Sequence, residues 1–426
     1  MDSLSLSDWM EFYNDKVSAS KNKKRKINRW YPILEGFSNN FVELVLKEQE
    51  NMPSLCLDPF AGGGTTPLTA QLNGVRCISF EVSPFMSQVC RSKLRNDYKF
   101  LELQRVIDDI EEYLSKPINH GFEIGLKTIS KKEGLDKWLF HKTALDSLLS
   151  IRKAIDVVSG PKYKDLLYVT LGSILLNYCN ASRDGKALRY RENWERKVHK
   201  RKTIYRDFLT KCREEVLPDV KSIEEEAKKN PLSNLKDFYS GDCRQLTHLV
   251  ADNSIDVIIT SPPYLNSRDY TDSHMVELWL LGHVTSYSDV ANLRRKTMRS
   301  HVQVRWGESP LPNSELLRSA FHRIMSFESE FWNKNIPNMI SGYFSDLEEL
   351  LFKLKPKMRT GGKIYINVAN SSYFGVVIET DKIIAEIAQN LGYTVLDIRI
   401  ARRIKCSSQQ SDEIKWLRES VVVLMA

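Results

Sequence analysis

One short stretch narrows the fold more than any other. Ser54 to Asp58 is an apolar run that ends in an acid, and Pro59-Phe60-Ala61-Gly62-Gly63-Gly64-Thr65-Thr66 follows it directly. Apolar residues bounded by consecutive glycines read as a buried strand entering a tight turn. Thr65 to Leu72 reads as the next helix, with Pro67 in its first turn, where a missing N–H costs little. A strand, a glycine turn and a helix form the opening half of a parallel βαβ unit.

The same rhythm recurs along the chain. Val75 to Phe80 reads as a second strand, with Glu81 at its tip, and Ser83 to Leu94 as a helix. Asp237 to Ser240 reads as a third strand, Ile255 to Thr260 as a fourth, and Lys363 to Asn367 as another. A helix follows over Asp381 to Asn390, then strands over Tyr393 to Ile400 and Ser420 to Met425. Alternation of this kind predicts an α/β fold with a doubly wound, mostly parallel sheet. Between about Asn96 and Lys236 the rhythm stops and helical periodicity takes over, with Leu166 to Asn180 as one apolar helix. Residues 1–50 read as two helical stretches separated by Lys21 to Pro32. The expected organisation is a core part over 1–95, a helical insertion over 96–236, and a second core part over 237–426.

Composition excludes several classes. Of 426 residues, 42% are hydrophobic and 27% charged, an ordinary globular balance rather than a disordered or collagen-like one. No run approaches the ~18 apolar residues of a membrane span. Met1 to Met10 lacks the basic and apolar regions of a secretory signal. Seven scattered cysteines without a CxxC pair suggest neither a disulfide frame nor a metal site, so a reducing, cytoplasmic setting is expected. The formal charge of +8 is clustered. Lys186 to Arg213 carries eleven Lys or Arg against three acids, and Arg294 to Arg305 carries five with none. Lys21 to Arg29 is a third basic run. Solvated helix faces look like this too, but three such runs favour a phosphate backbone as partner.

Two motifs carry chemistry. The glycine turn lets backbone approach a ligand at the carboxyl edge of the sheet. It fails the dinucleotide fingerprint, because the third glycine would fall at Pro67. Glu81 could accept both hydroxyls of a ribose. The second motif is Thr260-Ser261-Pro262-Pro263-Tyr264 at the end of a strand. Two prolines lock the backbone and remove two donors. Free carbonyls, a hydroxyl and an aromatic ring together suit a planar ring bearing an exocyclic NH2.

Together, Asp58–Thr66, Phe80–Pro84, Tyr239–Asp242 and Thr260–Tyr264 resemble the amino-methyltransferases that use S-adenosyl-L-methionine on exocyclic amino groups of DNA bases. Asn266, Asp269-Tyr270, Glu277-Leu278-Trp279 and Ser182 to Tyr190 resemble bacterial site-specific DNA methyltransferases as well. The resemblance implies a Rossmann-like, seven-stranded, mostly parallel sheet. It implies a cofactor site of Tyr31, Phe37, Asp58, Pro59, Phe60, Ala61, Gly62, Gly64, Thr65, Glu81, Val82, Asp242 and Cys243. In it the segment from Trp30 to Ser38 covers the cofactor's methionine end, Glu81 binds the ribose, and Asp242 faces the adenine. It implies that Ser261 and the Pro262 carbonyl hold the target NH2, with Pro263 shaping the turn and Tyr264 stacking on the base. Those two acceptors would favour a pyramidal nitrogen, freeing its lone pair for attack on the methyl group. The base must leave the duplex to be reached.

Serine in the first motif position is typical of cytosine-N4 enzymes, while adenine-N6 offers the same amino group to the same acceptors. An RNA base methyltransferase and a catalytically silent nucleic-acid binder are the other readings. For double-stranded DNA, the expected contacts are Arg183, Lys186, Arg189, Arg191, Lys197, Lys200, Arg201, Lys202, Arg294, Arg295, Lys296 and Arg299. The insertion is expected to read the target sequence, helped by residues 285–335. A restriction or phage-defence partner is compatible with the resemblance, and neither a metal nor a membrane is expected.

Overall fold

The computed structural model describes residues 5–33, 35–184, 187–265, 269–406 and 414–426. Eight strands form the central sheet: β1 (Leu6–Asp8), β2 (Leu55–Asp58), β3 (Arg76–Glu81), β4 (Phe238–Ser240), β5 (Ile255–Thr260), β6 (Met358–Ala369), β7 (Thr394–Lys405) and β8 (Trp416–Met425). Their order is β1-β7-β8-β6-β5-β2-β3-β4. All neighbours are parallel except the two pairs made by β8, which runs against β7 and β6. The expected α/β, Rossmann-like sheet is therefore present, with eight strands in place of seven. The additional one is β1, which extends the sheet beside β7 over Leu6↔Ile398 to Asp8↔Ile400. Three polar-flanked residues carry too little periodicity to announce a strand, and only the open edge of β7 makes one of them.

Alternation along the strands sorts side chains to two faces. Cys56, Cys77, Val257, Ile259, Tyr365, Val421 and Val423 pack with Phe41, Val42 and Val45 of the helix Asn39–Glu48. Leu57, Phe80, Ile258, Ile364, Ile366, Val422 and Leu424 pack on the other face, against the helices Ile336–Leu354 and Thr380–Asn390. Burial on both faces explains the near-continuous apolar runs of β2 and β5. At ~1.5–3 kcal/mol per fully buried large apolar side chain, these two layers dominate the stability of the core.

Several elements depart from expectation. Among the described residues of 1–50 there is one α-helix of more than four residues, Asn39–Glu48, preceded by β1, a short α-helix and 3-10 helices. The helix Ile336–Leu354, 19 residues long, was not foreseen. Strands β6, β7 and β8 run longer than their apolar centres. The segment 96–236 is mostly helical, but Ala181–Asp184 and Ala187–Tyr190 pair as an antiparallel hairpin. The apolar helix expected over Leu166 to Asn180 runs over Pro161–Leu175. Its helices share one buried cluster with Phe85, Val89 and Leu94 and with Leu278, Trp279 and Leu281. No helix among the described residues is long and apolar enough to cross a membrane. All seven cysteines are buried and unbridged.

Candidate active site

The carboxyl ends of β2, β3 and β5 bring the two motifs together. Asp58, 2% exposed at the tip of β2, accepts from the Phe60 N–H at 3.0 Å and from Thr260 Oγ1 at 2.7 Å. One carboxylate thus shapes the glycine turn and ties it to the tip of β5. Its burial raises its pKa to about 6. The turn continues with Ala61 N–H donating to Phe80 O at 2.9 Å and Gly62 N–H to Glu81 Oε2 at 2.8 Å. Glu81 Oε1 also accepts from Ser83 N–H at 2.7 Å. Burial holds Glu81 at about 7, against the lowering effect of those bonds.

Glycine is required at two of the three positions for different reasons. Gly62 has φ +51°, and a Cβ there would meet nothing within 4 Å, so the turn has open space above it. Gly64 has φ +84°, and a Cβ would come 2.8 Å from Cys90 Sγ. Between them, Gly63 is covered by the Ile33 side chain, a cover the sequence reading missed. Phe60 stays partly exposed, Pro59 and Ala61 are buried, and Thr65 opens the helix Thr65–Leu72.

Tyr264 is held by residues that no local motif announces. Its hydroxyl donates to Glu419 Oε1 at 2.7 Å and accepts from Asn367 Nδ2 at 2.9 Å. Asn367 Nδ2 also lies 3.0 Å from Glu419 Oε1, and Arg402 Nε donates to Glu419 Oε2 at 2.6 Å. Glu419 is 1% and Asn367 0% exposed. Burial, then the Glu419 charge, raises the Tyr264 hydroxyl far above its usual range. Among the described residues, Asn367 Oδ1 is buried without a partner. Thr260 pairs with Ile366, and Asn367 follows that pair along β6. Asn367, Arg402 and Glu419 come from β6, β7 and β8, and only the register of those strands brings them together at Tyr264.

The segment before the core meets the site from the side. Tyr31 donates from its hydroxyl to Glu277 Oε1 at 2.7 Å and packs edge-on to Phe85 at 4.9 Å. Arg183 Nη2 bonds the same Glu277 oxygen at 2.8 Å, and Arg183 Nε bonds Ser273 O at 3.0 Å. Glu277 Oε2 is buried without a partner among the described residues. Lys93, 2% exposed, reaches Tyr31 O at 3.4 Å, and burial lowers it to about 8. Other expected cofactor residues are placed differently. Phe37 packs on Phe41 at 5.0 Å, within the layer under the sheet. Asp242 grips Arg244 through bonds of 2.7 to 3.1 Å, and Arg244 Nη1 reaches Asp346 at 2.5 Å. Cys243 is buried in the core, and Val82 is half-buried beyond Glu81.

Curated relatives align along nearly the whole chain. A Type II methyltransferase of Geobacillus stearothermophilus, M.BsoBI, is 26% identical over 94% of this chain and 85% of its own length. The Type II methyltransferase M.AvaI of Nostoc sp. is 27% identical over 96% of this chain and 88% of its own length. A third, M.MjaII of Methanocaldococcus jannaschii, matches at 27% over 22% of the chain. Over nearly its whole length the chain is thus similar to enzymes named Type II methyltransferases. A scan against protein-family models gave no match.

The structure divides the basic residues into two groups. Arg183 serves Glu277, Arg294 binds Asp269 and Asp272, and Arg299 holds Asp346 at 2.7 Å. Arg191 bonds the carbonyls of Leu176 and Cys179. These four are internal struts. Arg189, Lys197, Lys200, Arg201, Lys202, Arg295 and Lys296 are exposed. Lys186 and Asn266 lie outside the described residues. Charge counting could not separate the two groups, because an arginine on a buried carboxylate and an exposed one look alike in sequence. Arg201 and Lys202 line a cavity of about 690 Å³ with Lys116 and Tyr205, inside the basic window.

Proposed function

We propose that the chain transfers a methyl group from S-adenosyl-L-methionine to the exocyclic amino group of an extruded DNA base, cytosine N4. The observation that carries this reading is the Thr260–Asp58 hydrogen bond, which sets the glycine turn and Ser261-Pro262-Pro263-Tyr264 side by side. The open space over Gly62 and the Glu81 carboxylate suit the cofactor: backbone approach at one end, a ribose acceptor at the other. When bound, the cofactor supplies an electrophilic methyl group. Ser261 and the Pro262 carbonyl accept from the amino protons, and the anchored Tyr264 ring orients the base between them. Positioning and fixed dipoles then carry the reaction. Serine at position 261 favours cytosine, and the alignment with relatives named Type II methyltransferases supports DNA as the polymer.

The test is transfer of labelled methyl to DNA and to RNA, followed by nucleoside mass spectrometry. N4-methylcytosine in DNA is the expected product. N6-methyladenine would move the reading to adenine, and label in RNA alone would replace it. Ser261→Ala is expected to lower the transfer rate by about 10²-fold, as loss of one positioned hydrogen-bonding group does elsewhere. Full activity in that variant would remove Ser261 from the site.

Glu81 gives the cofactor step a pH dependence. Ribose hydroxyls donating to Glu81 favour its carboxylate form, so binding should release a proton and tighten as pH rises through about 7. The sign for folding is opposite. The folded chain keeps protons on Asp58 and Glu81, held at about 6 and about 7, that the unfolded chain gives up nearer 4. Without ligand, stability therefore falls as pH rises through that window. Calorimetry in two buffers of different ionisation heat measures the proton count. Affinity that stays level from pH 6 to 8 would contradict the assignment.

A further inference from the structure

Strands β7 and β8 continue past the end of β6. Arg403↔Arg418, Ile404↔Leu417 and Lys405↔Trp416 lie beyond the last β6 pair, Glu419↔Ala369. This extension stands at the carboxyl edge of the sheet, the edge that carries Ser261 and Tyr264. Beside it lies a cavity of about 570 Å³, lined in part by Arg323, Arg403, Trp416 and Arg418. Trp416 is 58% exposed. Arg418 is held by Glu379 and Asp381 at 2.7 Å each, so that pair of acids is matched. Asp8, also in the lining, accepts from Met10 N–H at 2.9 Å. Arg323 and Arg403 are exposed and make no internal ion pair among the described residues. Lys405 and Lys415, exposed on the same extension, add to the positive side.

The extension is also mechanically joined to the base site. Arg402, next to Arg403, reaches Glu419, and Glu419 holds the Tyr264 hydroxyl. A ligand gripped by Arg403 is therefore one residue from the support of the stacking ring.

We propose that this cleft is a second DNA-contact site, distinct from the basic window of the insertion. It holds the backbone flanking the extruded base, with Arg323 and Arg403 on phosphates and Trp416 stacked on a neighbouring base. The proposal rests on the DNA-methyltransferase reading and adds to it a surface that the basic runs in sequence did not mark. Guanidinium groups without an ion pair among the described residues, set around a wide aromatic ring, match a polyanion with π-faces. The single acid left in the lining is outnumbered by them. Stacking also gives the exposed indole a partner that water does not supply.

The test is anisotropy titration of a labelled 30-base-pair duplex across a salt series, with urea melting as a check on folding. Arg323→Glu with Arg403→Glu should weaken binding more than tenfold and flatten the log–log salt slope by about 2. The paired Arg323→Ala and Arg403→Ala variants should move the same way, in case reversal disturbs folding. Trp416→Ala should weaken binding about tenfold without changing the slope, and Trp416→Phe should restore it. Wild-type methylation of DNA with unchanged binding in all these variants overturns the cleft alone. A wild-type chain that holds no duplex overturns the cleft and the function together.

Discussion

Glu419→Ala is expected to cut the methyl-transfer rate by about 10²-fold while leaving cofactor affinity near wild type. Glu419 touches neither the glycine turn nor Glu81 among the described contacts; it holds the far end of Tyr264. Without it the Tyr264 hydroxyl and Asn367 Nδ2 lose their shared acceptor, and Arg402 loses its carboxylate. The ring is then free to turn, and a displacement near 1 Å in a positioning group costs about that factor. The same deletion leaves buried donors and a partly buried guanidinium unmatched, which costs about 3 kcal/mol of stability. Two comparisons separate position from folding. Tyr264→Phe keeps the ring and its packing but loses the anchor, so it should fall between wild type and Glu419→Ala. Glu419→Gln keeps an acceptor for the phenol yet opposes Arg402 with an amide, so it should recover part of the rate. Single-turnover rates at saturating cofactor and DNA give the answer, with urea melts run in parallel. Wild-type rates in both Glu419→Ala and Tyr264→Phe would show that the anchor has no part in the reaction.

That network also marks what a sequence can announce. The Gly62 turn and the Ser261 turn are contiguous in sequence, and each bears its own chemistry within a few residues, so both were legible. So were β2, β3 and β5, because strands buried on both faces are written as unbroken apolar runs. Glu419, Asn367 and Arg402 were not. They meet only because β6, β7 and β8 adopt one register, and no spacing in the chain encodes that. Polar strand ends hid for the same reason: β7 and β8 exceed their apolar centres by the residues that project beyond β6. The 19-residue helix Ile336–Leu354 was lost among mixed polar positions, and its buried stripe is clear only against the sheet.

The basic residues show the converse error. Arg183, Arg294 and Arg299 fall within or beside dense positive windows and were counted as a single footprint. Each sits instead on a carboxylate from another element: Glu277, Asp269 with Asp272, and Asp346. Those acids are themselves almost fully buried, Asp272 excepted, and a buried acid needs a matched partner. Local charge density therefore counted these paired arginines together with the exposed ones.

Asp219→Ala is expected to be the most destabilising single change of all, and to weaken the cofactor site from a distance. Asp219 is fully buried on the helix Leu217–Glu226 of the insertion. It accepts from Ile27 N–H at 2.8 Å, Arg29 Nε at 3.0 Å, Arg29 Nη2 at 2.7 Å and Trp30 Nε1 at 3.0 Å. Ile27 has φ +68°, a strained conformation for a β-branched residue that this hydrogen bond helps to hold. Removing the carboxylate strands a guanidinium and two buried N–H groups, a loss of about 3–5 kcal/mol. The freed segment runs on to Tyr31, which packs on Phe85, and to Ile33, which covers Gly63. Cofactor affinity should therefore fall about tenfold, near 1.4 kcal/mol. Asp219→Asn, which keeps one acceptor and loses the charge, should sit between. Urea melts with and without cofactor measure the first effect, and calorimetry the second. A large loss of stability with unchanged affinity would show that the segment over the glycine turn is set independently of the insertion. A loss of both would make the insertion part of the cofactor site's own support. Deleting residues 96–236 would then be no clean test of sequence reading, because it would strip Phe85, Val89 and Leu94 of the helices that bury them. Exchanging only exposed residues such as Lys200, Arg201 and Lys202 keeps that shared core, so a change in preferred site could be traced to the surface itself.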